Sequence, residues 1–116
     1  MDPFWQNKTL APSFHYARAL TAHYARSFHF SSRLLPVEKR WATYALYGFC
    51  RYADNLIDLP RPRSRQELLQ ELSCLAGEIA AAYRSGESEH PIVKSFIFVA
   101  QKYGIPEKYA QELIKG

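Results

Sequence analysis

A long predicted helix, from residue 36 to residue 59, constrains the fold of this chain more than any other feature. Pro36 suits the first turn of a helix, and Gly48 is the only glycine or proline before Pro60. At about 100° per residue, six polar or tyrosine side chains fall within an arc of about 80°. This polar stripe consists of Arg40, Tyr44, Tyr47, Arg51, Asp54 and Asp58.

The rest of the circumference of this predicted helix is apolar. A helix on a protein surface normally has a charged outer face, which this one lacks. We therefore expect a helix mostly surrounded by protein, with the polar stripe facing a wet internal cavity, because buried charges must be paired or bound to a ligand. The apolar positions are Trp41, Ala45, Leu46, Phe49, Ala53, Leu56 and Ile57.

Two carboxylates at the end of the polar stripe form a candidate metal site. Asp54 and Asp58 lie four residues apart, which places them on neighbouring turns of one helix face. Such a pair suits Mg²⁺, which is commonly held by one or two carboxylates together with substrate phosphates. Arg51, one turn earlier, is placed to bind a phosphate oxygen. The alternative is a plain salt bridge between Arg51 and Asp54; the other polar stripe positions favour a ligand site.

The remaining sequence also predicts helices, and no alternating strand pattern competes with them. Ser13 is a plausible N-cap, Ser64 followed by Glu67 matches a capping box, and Gly104 marks a helix end. Residues 1–12 are predicted to be an irregular lead-in. The chain is therefore expected to be all-α and to form one domain or part of one. The further helices are predicted at 13–30, 65–84, 91–103 and from Pro106 onward.

Composition narrows the classes of partner and compartment. The net charge of +4 would attract phosphates, anionic lipid surfaces or nucleic acid, and does not choose among them. The arginines at 61, 63 and 65 predict an exposed basic loop, and without interleaved aromatics no nucleic-acid partner is expected. No apolar run approaches the ~18 residues of a membrane span, and the start lacks a secretory signal. We expect a cytoplasmic protein that associates with membranes, if at all, only peripherally.

The cysteines and histidines offer weaker candidates. Cys50 and Cys74 are expected to be free thiols, with Cys50 a small, buried apolar side chain rather than a nucleophile. The histidines lack the spacing of paired metal ligands, so surface or capping roles are expected for them. They are His15, His23, His29 and His90.

Three segments together resemble the squalene/phytoene synthase family. They are SFHFSSRLLP at 27–36, EKR at 38–40 and ALYGFCRYADNLID at 45–58, and a looser likeness continues through most of the remaining chain. The resemblance implies an isoprenoid-synthase type fold, of which residues 1–116 are the N-terminal part. It also implies a prenyltransferase that condenses two farnesyl or geranylgeranyl diphosphates head to head into squalene-, dehydrosqualene- or phytoene-type products.

The same resemblance implies roles for individual residues. Asp54 and Asp58 would form the first aspartate-rich motif, which holds Mg²⁺, or Mn²⁺ in its place, against a substrate diphosphate. Arg51 and Tyr47 would contact the diphosphate or line the reaction cavity, with Tyr47 also in a catalytic role. Ser27-Phe28 would lie at the diphosphate and prenyl-chain ends of the pocket.

Two departures from the family pattern affect the expected activity. Asn55 stands where many members have a second aspartate directly after the first. The second aspartate-rich motif, which members carry much further along, is absent, so we expect a truncated domain that is inactive alone and self-associates. Two non-enzymatic alternatives stay open: a helical assembly or interaction protein of the same fold, and a helical module that binds membrane surfaces.

Overall fold

The computed structural model describes residues 3–58 and 62–115 and confirms the all-α fold class. There is no β-strand within these residues. Short 3₁₀ turns lie at Phe4–Gln6 and Ser32–Leu34. The α-helices are α1 (Ala11–Tyr24), α2 (Arg26–Ser31), α3 (Val37–Asp58), α4 (Arg65–Ser85), α5 (Val93–Tyr103) and α6 (Glu107–Lys115).

Local capping signals place the helix ends close to their predicted positions. Ser64 accepts a hydrogen bond from the Glu67 amide, and the Glu67 carboxylate accepts one from the Ser64 amide, which confirms the capping box of α4. Gly86 and Gly104 end α4 and α5 in the left-handed conformation, with φ of 83° and 69°. The predicted end of the long helix at residue 59 lies outside the described residues.

The prediction of one helix over 13–30 is wrong. The chain breaks at Ala25, whose φ of −137° and ψ of 64° are not helical, and α2 starts immediately afterwards. No glycine or proline marks this break in the sequence. Ser27 and Phe28 therefore lie on α2, a separate short helix. The lead-in predicted at 1–12 is also partly ordered, because α1 already begins at Ala11 with Pro12 in its first turn.

Ser13 is not an N-cap but a buried residue within α1. Its hydroxyl donates a hydrogen bond to the Pro91 carbonyl and accepts one of 2.9 Å from the Ser95 amide. The Ser95 hydroxyl lies 2.8 Å from the Ser13 hydroxyl. The prediction failed because the partners of Ser13 lie about 80 positions away in sequence, at the start of α5.

Helix α3 lies at the centre of the molecule and contacts α1, α4, α5 and α6. Phe49 is fully buried and stacks on Phe96 of α5, with ring centroids 4.2 Å apart. Helix α4 supplies Ile79, and α6 supplies Ala110 and Ile114 to the same core. A smaller cluster around Phe14 of α1 lies at the other end of α3.

Helices α1 and α3 are in tight contact at a glycine of α3, Gly48. A Cβ atom added to Gly48 would lie 2.7 Å from both the Cα and the Cβ of Ala17, closer than such atoms approach in real proteins. Helix α1 therefore packs directly on α3, and its last residue, Tyr24, lies beside Arg51 of the polar stripe.

The exposed basic loop predicted before α4 is found only in part: Arg65 is exposed as predicted, but Arg63 is not. The Arg63 side chain is only 10% exposed, and it binds the Glu71 carboxylate of α4 and the Leu56 carbonyl of α3. Arg63 thus joins the end of α3 to α4. Arg61 lies outside the described residues. None of the described helices is both long and apolar enough to cross a membrane.

Candidate functional site

The two carboxylates of the polar stripe of α3 do not face the internal cavity that the sequence predicts, because the described part of the chain leaves them at the surface. Asp54 and Asp58 are exposed, and Tyr47 and Arg51 are partly buried. The described helices pack on the apolar side of α3, which buries Ala45, Phe49 and Ala53 as predicted. No described helix covers the two carboxylates on the opposite side, so they are exposed.

The first half of the polar stripe has a different role from the second. Tyr44 is 2% exposed, and its hydroxyl lies 2.9 Å from that of Ser32. Arg40 donates hydrogen bonds of 3.3 Å to the carbonyls of Arg33 and Leu35. These residues attach the segment after α2 to α3, so the stripe does not act as one continuous site.

Arg51 is positioned by two residues that the sequence did not predict for the site. Its Nε donates a 3.0 Å hydrogen bond to Oδ1 of Asn55, and its guanidinium lies 4.5 Å from the ring centroid of Tyr24. No ion pair joins Arg51 to Asp54 among the described residues, so the salt-bridge alternative is not supported. The spacing of Arg51 and Asn55, four residues apart on one helix, was the available signal for this contact.

The two other predicted pocket residues lie on α2. The Phe28 ring is 41% exposed and lies 5.9 Å from the ring of Tyr47, measured between centroids. Ser27 is exposed. The fold therefore brings Phe28 to Tyr47, one turn before Arg51, and forms an aromatic surface beside the polar residues.

The charge of Asp54 acts on a cysteine of its own helix. Burial raises the pKa of the Cys50 thiol above its ordinary value, and the negative charge of Asp54, one turn later, raises it further.

The acidic pair fits a hard divalent cation but would supply only part of its ligands. Two exposed carboxylates at this helical spacing, with Cβ atoms about 5–6 Å apart, offer oxygen ligands and room for water. The described residues contain no group of three or more acidic, histidine or cysteine side chains that could hold a metal. The remaining ligands would be water and substrate oxygens, and carboxylates from outside the described residues.

Comparison with known proteins agrees with the residues found at this site. A family model described as squalene/phytoene synthase matches residues 21–116. The chain is 26% identical over 108 residues to 15-cis-phytoene synthase of Synechococcus elongatus, covering 93% of the chain and 34% of the relative. It is 30% identical over 90 residues to presqualene diphosphate synthase of Rhodopseudomonas palustris, covering 78% and 31%.

A further relative is phytoene synthase of Rhodobacter capsulatus, which is 31% identical over 91 residues, covering 78% of the chain and 26% of the relative. The chain thus spans roughly a quarter to a third of the length of these three proteins. No solved structure matches the chain. The family match includes the acidic pair, Arg51 and the α2 residues, and covers most of the chain, so this protein belongs to the squalene/phytoene synthase family.

Proposed function

We propose that this chain forms the substrate- and metal-binding part of a prenyltransferase that condenses two prenyl diphosphates head to head. Family membership and the names of the relatives support this class of reaction. The observation that carries the proposal is the pair of exposed carboxylates, Asp54 and Asp58, next to Arg51 on the same helix. Asn55 and Tyr24 position the Arg51 guanidinium, which forms no ion pair with Asp54.

Each side chain of the site has a chemical task in this proposal. Asp54 and Asp58 hold Mg²⁺, or Mn²⁺, through their carboxylate oxygens. Arg51 binds diphosphate oxygens through its planar guanidinium, which can donate two parallel hydrogen bonds. Phe28 and Tyr47 contact the start of the prenyl chain. The bound cation supplies Lewis-acid stabilisation of the charge that develops on the departing diphosphate.

The substrates are expected to be farnesyl or geranylgeranyl diphosphate, in a step of isoprenoid or carotenoid synthesis. We propose that residues 1–116 alone make no condensed product, because the acidic pair supplies only one side of a metal–diphosphate site. We further propose that the intact protein meets its apolar substrates at a membrane surface. Phe30 and Leu34, which are 68% and 89% exposed, would enter the lipid interface there.

Substitution of the acidic pair in the intact enzyme tests this function. Asp54→Ala and Asp58→Ala should each reduce turnover of radiolabelled prenyl diphosphate by on the order of a hundredfold at saturating magnesium. Because both positions are exposed, the free energy of unfolding should change by no more than about 0.5 kcal/mol. Glu112→Ala, which removes an exposed carboxylate from α6, is the matched control and should keep full activity.

Arg51→Lys separates diphosphate binding from simple charge. The variant should lose activity although it keeps the positive charge, because an ammonium group cannot form the two parallel hydrogen bonds of a guanidinium. Equal activity of the lysine variant, or near-normal rates in both alanine variants, would contradict the proposed site. Absence of turnover in the parent enzyme itself would instead favour the alternative of a non-catalytic assembly protein of the same fold.

A further inference from the structure

A polar cavity lies away from the acidic pair, between α1, α2, the 3₁₀ turn at Ser32–Leu34 and α3. It has a volume of about 460 Å³. We call it the cationic cleft, because three arginines line it and no carboxylate does among the described residues. Its lining residues are Arg18, His29, Phe30, Arg33, Arg40, Trp41 and Tyr44.

The cationic cleft is separate from the proposed catalytic site. Arg40 precedes Asp54 by fourteen residues on the same helix, which corresponds to roughly 21 Å along the axis of α3. One diphosphate group cannot reach both places. The cleft therefore needs its own explanation.

The positive charge of the cleft is not neutralised by neighbouring side chains. The ion pairs of the described residues join Arg63 to Glu71, Lys94 to Glu89 and Lys102 to Glu38, and none includes an arginine of the cleft. Like charges around one cavity repel each other, and a bound anion would remove this repulsion.

The cleft also contains buried nitrogen atoms without hydrogen-bond partners. They are Nε of Arg40 and Nε2 of His29, for which the described residues offer no acceptor. Arg40 is fixed by its bonds to the Arg33 and Leu35 carbonyls, and the His29 ring stacks on Tyr44 with centroids 5.4 Å apart. Buried polar groups in native proteins are normally paired, so a ligand with acceptor oxygens accounts for both atoms.

We propose that the cationic cleft binds a phosphate group through the guanidinium groups of Arg18, Arg33 and Arg40. Phosphate combines negative charge with several acceptor oxygens, and arginine binds it in a planar, bidentate manner. The group can belong to a free phosphate or diphosphate, or to a lipid headgroup. The exposed Phe30 of the cleft and the neighbouring Leu34 are compatible with a lipid source.

The test uses buffer with EDTA and without divalent cations, so that the acidic pair repels phosphate instead of binding it through a metal. Inorganic phosphate and pyrophosphate are titrated into the protein by calorimetry, while the His29 ring is followed by NMR. In the second arm, the protein is sedimented with vesicles of phosphatidylglycerol or of phosphatidylcholine. Arg51→Gln, which removes the only arginine of the proposed catalytic site, should bind phosphate in the cleft as the wild type does, and this separates the proposal from the catalytic one.

Two variants of exposed arginines, Arg18→Gln and Arg33→Gln, should each weaken binding by at least about tenfold. Arg84→Gln on α4 removes the same charge outside the cleft and is the matched control. Thermal unfolding confirms that each variant is folded.

Two results support the proposal. Loss of pyrophosphate or phosphate binding in the cleft variants alone identifies a soluble phosphate ligand. The same dependence for phosphatidylglycerol vesicles only identifies a lipid headgroup. Absence of binding in both arms, or equal weakening by Arg84→Gln, overturns the proposal, because either result would reduce the cleft to general surface charge.

Discussion

Asp54 influences a neighbouring residue that reports on its charge. Cys50 lies one turn before Asp54 on α3, and burial and this carboxylate both raise the pKa of its thiol. The thiol is not fully buried, so alkylating reagents can reach it. Cys50 is thus a reporter on the charge of Asp54 that needs no substrate and no turnover.

Asp54→Asn should lower the pKa of Cys50 and increase its alkylation rate at a fixed pH below that pKa. Removing the anion makes the reactive thiolate less unfavourable, while burial, the larger cause, still keeps the pKa above its ordinary value. The pH dependence of iodoacetamide reaction measures this in a Cys74→Ser background, which leaves one thiol.

Asp58→Asn is the matched control for this measurement, because Asp58 does not contribute to the shift of the Cys50 pKa. An identical pH profile for Asp54→Asn and the parent protein would mean that Asp54 is too far from the thiol, or too well screened, to act on it.

At the scale of helices, the contact between α1 and α3 can be tested with two glycines. Gly48→Ala should destabilise the protein by about 1–3 kcal/mol, because its new methyl group would collide with Ala17. Gly77→Ala lies within α4, where a Cβ meets nothing within 4 Å, so it should stabilise the protein by about 0.5–1 kcal/mol. Urea unfolding of both variants provides the comparison.

The two substitutions are expected to change the free energy of unfolding in opposite directions, and this difference tests the contact between α1 and α3. A general preference of helices for alanine would stabilise both variants. If Gly48→Ala were as stable as the parent protein, α1 and α3 would have to be further apart than the fold places them.

Helix features with local causes could be predicted from the sequence. The Ser64–Glu67 capping box and the stop at Gly104 depend on residues within one turn, and both are confirmed. A capping role for a histidine is also found, since His90 Nδ1 accepts hydrogen bonds from the Ile92 and Val93 amides at the start of α5. Burial of one side of α3 followed from its periodicity.

Features that depend on distant partners could not be predicted. The pattern of α3 placed Tyr44 on the same stripe as Asp54, but the Tyr44 hydroxyl is buried in a hydrogen bond with the hydroxyl of Ser32. Periodicity also continued through Ala25 although the chain breaks there. For the site, the sequence indicated the acidic pair and Arg51, while the contact with Tyr24 arises only when α1 packs on α3.

The molecule as a whole is flattened, with extents of 44 × 33 × 23 Å, and much apolar surface is exposed. Phe28, Phe30, Leu34 and Val37 lie close together in sequence on and after α2, and each is more than 40% exposed. Large exposed apolar patches on small domains favour association.

Residues 1–116 should therefore self-associate at micromolar concentration, as sedimentation velocity would show by a coefficient that increases with concentration. Replacing Phe30 and Leu34 together by serine should shift the distribution toward monomer. The matched control is Leu69→Ser on α4, which removes a 55%-exposed side chain elsewhere. A concentration-independent monomer would contradict this expectation.

The buried hydroxyl of Ser13 has a consequence for the order in which the chain folds. It joins the first turn of α1 to Pro91 and Ser95, which lie 78 and 82 positions later in the sequence. The beginning of α1 therefore cannot complete these hydrogen bonds until α5 has been synthesised. The two helix starts should then open as one cooperative unit. The Ser95 amide donates a hydrogen bond to the Ser13 hydroxyl. In native-state hydrogen exchange, this amide should therefore become exchangeable in the same opening step as the early amides of α1.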